Sequence, residues 1–138
     1  MKRKNMREVS IDDLDLCKAS ETPYEFEYLD ASGKGTGIFL LVIGAQSDKV
    51  KKWRNARINQ QRQIEALNEK RKRDPELRSV EDDIQFGVEY ISIRIVGWRG
   101  ISTPWTPENA LKLCTINDEI LDQVSKASET ITNFTKSK

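Results

Sequence analysis

Tyr24-Glu25-Phe26-Glu27-Tyr28-Leu29, then Asp30-Ala31-Ser32-Gly33-Lys34-Gly35, then Thr36-Gly37-Ile38-Phe39-Leu40-Leu41-Val42-Ile43: these twenty consecutive residues set the fold class. Tyr24, Phe26 and Tyr28 alternate with Glu25, Glu27 and Leu29, and aromatics at period two suit a half-buried strand. Asp30–Gly35 is turn chemistry, with glycine where positive φ is needed. A second strand runs from about Thr36 to Ile43 and stops at Gly44. Residues 23–46 therefore read as a β-hairpin. Two strands alone are marginal in water, so a helix or another strand must cover them. The rest of the chain reads mostly helical. The expectation is an α+β fold, an N-terminal hairpin or small sheet followed by a mainly helical C-terminal part, in one domain spanning 23–138.

Upstream, residues 1–22 are polar and charged, with a weak apolar pattern at Val9, Ile11, Leu14 and Leu16. They read as a flexible arm that orders on the body or on a partner. Downstream, Ser47 caps a helix over 47–74 rich in Lys, Arg, Gln, Glu, Ala and Leu. Its apolar stripe is thin (Val50, Trp53, Ala56 or Ile58, Ile64, Leu67), so most of it is solvated. Asp74-Pro75 interrupts the pattern. An amphipathic helix over 76–97 follows, from the stripe Leu77, Val80, Ile84, Val88, Ile91, Ile95 and Trp98. Ile91, Ile93 and Ile95 also alternate in the manner of a strand. The longer stripe favours the helix. A loop at 98–106 leads to Thr106-Pro107-Glu108, a helix-capping motif with Thr as cap, Pro at the first helical position and an acid in the first turn. Helices then fill 107–134. The first buries Ala110, Leu111 and Leu113; the last opens near Asn117 and carries Ile120, Leu121, Val124, Ala127 and Ile131 up to Phe134.

The chain has 138 residues, 37% of them hydrophobic and 33% charged, with net charge +1. The charge is zoned. Residues 1–48 carry 6 basic and 9 acidic groups, 49–73 carry 10 and 2, 74–97 carry 2 and 6, and 98–138 carry 5 of each. Zoning of this kind bears on partners and steering. The longest apolar run, Ile38–Ile43, suits a strand rather than a signal peptide or a membrane span. A cytoplasmic protein with Cys17 and Cys114 reduced is the consequence.

Histidine is absent, 0 in the chain. That removes the commonest general base and the usual zinc ligand. Cys114 sits in an apolar helical pattern and reads as a buried small hydrophobe. Gly33-Lys34-Gly35-Thr36-Gly37 lacks phosphate-loop spacing and leads into a strand. Asp12-Asp13 and Asp82-Asp83 read as solvated carboxylates. A protein without catalytic activity, metal or cofactor is expected.

Two features remain as candidate partner surfaces. Lys51, Lys52 and Arg54 stand in the basic helix, where phosphates or an acidic protein could be met and where Trp53 could stack on a base. Acidic segments on both sides of it favour the protein. Trp98-Arg99-Gly100-Ile101-Ser102-Thr103-Pro104-Trp105 packs two tryptophans and a proline into one loop. Its indoles either cap the core or form a protein-binding patch, for which Trp98, Arg99, Ile101 and Trp105 are the candidates.

At this loop the chain resembles the tail assembly chaperones of long-tailed bacteriophages. The resemblance is carried by Val96-Gly97-Trp98-Arg99-Gly100-Ile101, Pro104-Trp105-Thr106-Pro107-Glu108-Asn109-Ala110-Leu111 and the closing Asn133-Phe134-Thr135-Lys136, with Trp105 where Phe is usual. The hairpin with its Thr36-Gly37 and the Gly44…Ser47 junction are also similar. The resemblance implies binding of the tape measure protein, whose long helical chain is kept soluble, and recruitment of tail tube subunits in the host cytoplasm. It implies no catalysis and no cofactor, and it leaves a homo-oligomer and a frameshifted longer form open. Two other classes fit the residues: a nucleic-acid-binding regulator using 49–73, and a structural tail or connector subunit of the virion.

Overall fold

The hairpin acquires its cover from a strand far along the chain. The computed structural model describes residues 8–70 and 80–135. Strands β1 (Tyr24–Leu29), β2 (Gly35–Val42) and β3 (Ile95–Arg99) form an antiparallel sheet in that order. Helices α1 (Leu16–Ser20), α2 (Asp48–Lys70), α3 (Val80–Ser92), α4 (Pro107–Ile116), α5 (Asp118–Glu129) and α6 (Thr132–Thr135) complete the described elements, with a 3-10 turn at Ile11–Leu14. The α+β expectation holds.

Register explains the alternation read from β1. Phe26 pairs with Leu40 and Leu40 with Trp98, so all three share the inner face; Glu27, Phe39 and Arg99 share the outer one. Leu40, Val42, Ile95, Ala110, Cys114, Ile120 and Val124 are buried together beneath α4 and α5. Each fully buried aliphatic side chain contributes about 1.5–3 kcal/mol. The turn is held by Asp30, whose Oδ1 accepts from Ser32 N–H at 2.9 Å, Ser32 Oγ–H at 2.7 Å and Lys34 N–H at 3.0 Å. Gly33 sits there at φ 86°, as turn chemistry requires.

The single helix expected over 76–97 is corrected. Among the described residues the helical part is Val80–Ser92, and Ile95–Arg99 is a strand. Both patterns fit the apolar spacing locally. The open edge of β2 resolves the ambiguity, because its backbone groups need partners and Ile95–Arg99 supplies them. Val80 and Ile84, on the proposed stripe, are exposed. Trp98 and Arg99 thus belong to a strand, and the 98–106 loop is shorter than expected.

Three smaller corrections follow. The arm is not uniformly loose: α1 docks against the body, with Ser20 buried and its carbonyl accepting from Gly44 N–H at 2.8 Å. The last helix breaks at Thr130, whose φ/ψ of −83°/100° is extended, leaving α6 separate. The Thr130 hydroxyl donates to Lys126 O at 2.7 Å, a local bond that competes with continuing the helix. Leu111 and Leu113 are half-buried, whereas Ala110 is buried as expected. Asp74-Pro75, Leu77 and Lys136 lie outside the described residues.

Candidate functional site

The loop after β3 is closed by backbone geometry and two side-chain hydrogen bonds. Gly100 turns at φ 87°, so close to the hairpin that a Cβ there would stand 2.3 Å from Gly37 O. The Trp98 indole N–H donates to Thr103 O at 2.9 Å, which folds the loop back over the ring. Asn109 Nδ2 donates to Pro104 O at 2.9 Å and anchors the other end. Thr106 then caps α4, accepting from Asn109 N–H at 3.0 Å, with Pro107 in the first turn and Glu108 beside it. A cap of this type contributes about 0.5–2 kcal/mol.

These bonds leave a groove of ≈ 250 Å³ lined by Trp98, Ile101, Thr103, Lys112, Leu113 and Ile116. Ile116, at the end of α4, is 71% exposed. Sequence reasoning identified Trp98 and Ile101 but missed Leu113 and Ile116 as surface residues. Their helical spacing of three was the available signal; Leu113 read as core, and Ile116, three residues on, was not singled out. The groove offers an apolar floor with Lys112 at its rim, and suits an apolar side chain of a partner.

The other candidates are dispersed. Trp105 packs half-buried against the core, and its indole N–H is buried with no hydrogen-bond partner among the described residues. Arg99 points to the opposite sheet face from Trp98. It makes two bonds to the Glu25 carboxylate, at 3.1 and 3.2 Å, and lies 3.8 Å above the Phe39 ring. The guanidinium bond holds the Glu25 carboxyl below the usual carboxylate range. Arg99 is therefore engaged within the sheet. Lys51, Lys52 and Arg54 stand on the first turns of α2, where Lys52 pairs with Asp48 at 2.9 Å.

Trp53 is half-buried and packs on α3. Its ring packs on Tyr90 at 5.7 Å and on Phe86 at 5.5 Å between centroids, with Arg57 5.3 Å above it. Arg57 also makes an ion pair with Glu89 at 2.8 Å. This junction fastens α2 to α3. Tyr90 in turn carries Arg94, whose guanidinium lies 4.6 Å above its ring. Arg94 is only 2% exposed, and its Nη1 donates to Ser128 Oγ at 3.5 Å and Glu129 at 3.4 Å. An arginine inside a strand-like run of isoleucines carries no sequence signal for burial, and sequence reasoning passed over it.

Cys114 is fully buried, and desolvation pushes its thiol up to about 12. A thiol so protonated at neutral pH is a poor nucleophile. Among the described residues, no group of three or more Cys, Asp or Glu side chains is placed to hold a metal ion. No described helix is long and apolar enough to cross a membrane. The chain matches no family model, no curated protein and no solved structure.

Proposed function

We propose that this protein is a non-enzymatic tail assembly chaperone of a long-tailed bacteriophage, which binds the tape measure protein and tail tube subunits in the host cytoplasm. One observation supports the reading above others. The residues that carry the motif resemblance, Trp98 to Ile101 and Pro104 to Leu111, form one hydrogen-bonded unit beside an open apolar groove. A chaperone for a helical apolar chain needs such a surface, able to take side chains without covalent chemistry. The stacking of Trp53 on α3 favours a protein partner over a nucleic acid, since the ring is already covered by Tyr90 and Phe86.

The test is co-expression with the tape measure protein of the same phage, followed by affinity purification. The unaltered chain is expected to keep that protein soluble and to co-purify with it. Ile116→Asp is expected to fold normally, because the side chain is exposed, and to lose the complex. Failure of the unaltered chain to co-purify, with its recovery instead from purified particles, would support the structural-subunit alternative. Salt-sensitive DNA binding that disappears when Lys51, Lys52 and Arg54 are changed to Glu would support the regulator.

A further inference from the structure

The arm ahead of α1 carries apolar side chains that the described residues leave uncovered. Ile11, Leu14 and Val9 are 87%, 67% and 61% exposed. Ile11 and Leu14 stand at the two ends of the 3-10 turn, where residues three apart eclipse one another, so the pair forms one apolar ridge. Acids surround it: residues 8–15 hold Glu8, Asp12, Asp13 and Asp15 and no cation. Exposed apolar groups clustered in this way mark a contact surface. The turn runs straight into α1, because Asp15 ends the one and caps the other. α1 is itself fastened at Gly44, past the end of β2, through the Ser20 carbonyl. The Trp98 groove lies toward the other end of β2, beside the Gly100 turn that closes on Gly37. None of Val9, Ile11 and Leu14 lines that groove in its own chain.

We propose that the arm of a second copy of this chain occupies the Trp98 groove, setting Ile11 and Leu14 against Trp98, Ile101, Leu113 and Ile116. Charge and polarity together select this occupant. Among the described residues that line the groove, Lys112 is the one that carries charge. An apolar ridge flanked by carboxylates thus meets an apolar floor with a cation at its rim. The α2–α3 cleft disfavours the same ridge. Glu65, Asp82, Asp83 and Glu89 line it against Arg57 and Arg62, and Arg57 already pairs with Glu89. Docking takes Ile11, Leu14 and Ile116 out of water, which drives the contact. Arm and groove are different surfaces, so the interface is heterologous. The contact rests on the reading of the groove as a docking site, made above for the chaperone, and adds its regulation. The arm keeps the groove covered until a tighter-binding apolar partner displaces it.

Sedimentation velocity of the purified full chain, with no phage partner present, is the test. At on the order of 100 µM the unaltered chain is expected to self-associate. Ile11→Asp spoils the arm and Ile116→Asp the groove. Both side chains are exposed, so both variants are expected to fold. Each is expected to weaken association about tenfold or more, since each puts a carboxylate into an apolar contact. An equimolar mixture of the two is expected to associate more strongly than either alone, because the intact arm of one meets the intact groove of the other. A loss of fold in either variant cannot produce that rescue. In co-expression with the tape measure protein, Ile11→Asp keeps its groove and is expected to retain the complex that Ile116→Asp loses. A monomeric unaltered chain, association indifferent to Ile11→Asp, a mixture no stronger than its components, or a complex lost in Ile11→Asp but not in the unaltered chain would each overturn the proposal. Self-association with this pattern, but without any capture of the tape measure protein, would uphold the arm contact and sink the chaperone reading alone.

Discussion

Gln123 on α5 bonds both backbone groups of Leu29 at the end of β1: its Nε2 donates to Leu29 O at 2.8 Å, and its Oε1 accepts from Leu29 N–H at 3.0 Å. The amide thus acts as a one-residue strand, closing part of the outer edge of β1 and tying the sheet to the helical layer. Gln123→Glu keeps the acceptor and loses the donor. It is expected to cost about 0.5–1.5 kcal/mol, the net value of one such bond. The shift in urea midpoint at unchanged slope measures it. A variant as stable as the unaltered chain would show that the edge is held by other contacts.

Two glycines should respond oppositely to alanine. Gly100 has φ 87° and faces Gly37 O, so Gly100→Ala meets both left-handed backbone strain and a clash with a backbone atom. A loss on the order of 2–4 kcal/mol is expected. Gly87 lies within α3, and a Cβ there meets nothing within 4 Å. Gly87→Ala should gain roughly 0.5–1 kcal/mol through helix propensity. Thermal melts of the two variants should move in opposite directions.

The buried Trp105 indole N–H has no hydrogen-bond partner among the described residues. Trp105→Phe removes that donor while keeping most of the ring. The variant is expected to be within about 1 kcal/mol of the unaltered chain, or more stable, since an unsatisfied buried donor costs about 1–3 kcal/mol. Trp105→Ala should instead lose about 2–3 kcal/mol of packing. Equal losses for both would mean that the N–H finds a partner.

Asp30 supplies a pH dependence. The Ser32 hydroxyl, and then the Lys34 backbone N–H, hold its carboxyl below the ordinary value of 3.8. A carboxyl depressed in the folded state adds stability that is whole above its unfolded value and fades as pH falls through the folded one. The turn should therefore be indifferent to pH near neutrality and loosen in acid, below about pH 4. Amide exchange at Ser32 and Lys34, compared with Asp30→Asn, checks it. An acid-induced loosening that persists unchanged in the Asn variant would assign it to another group.

Much of the fold was legible in local chemistry. The aromatics of β1 at period two, the Asp30–Gly35 turn, the Thr106-Pro107 start of α4 and the Asn117 start of α5 each depend on residues a few positions apart. For such features sequence and conformation are tied directly. Asn117 Oδ1 accepts from Glu119 and Ile120 N–H, both at 3.0 Å, the second and third helical positions that an N-cap side chain reaches. Trp98 and Ile101 stood out for the same reason, as large apolar groups crowded into a short segment.

Long-range geometry settled the rest. Ile91 to Trp98 satisfies a helical and a strand pattern equally in its own neighbourhood. Only the presence of β2, more than fifty residues earlier, with an unpaired edge and Leu40 facing Trp98, turns Ile95–Arg99 into a strand. The same holds for Arg94 bonded to Ser128 and Glu129 of α5, for Trp53 against Tyr90, and for Ile116 left exposed at the end of α4. Local pattern determines which faces are apolar and where elements start, because those energies come from neighbours along the chain. Which apolar face is covered, and which backbone edge is paired, depends on groups brought together by chain folding, whose contribution has no term within any short window of sequence.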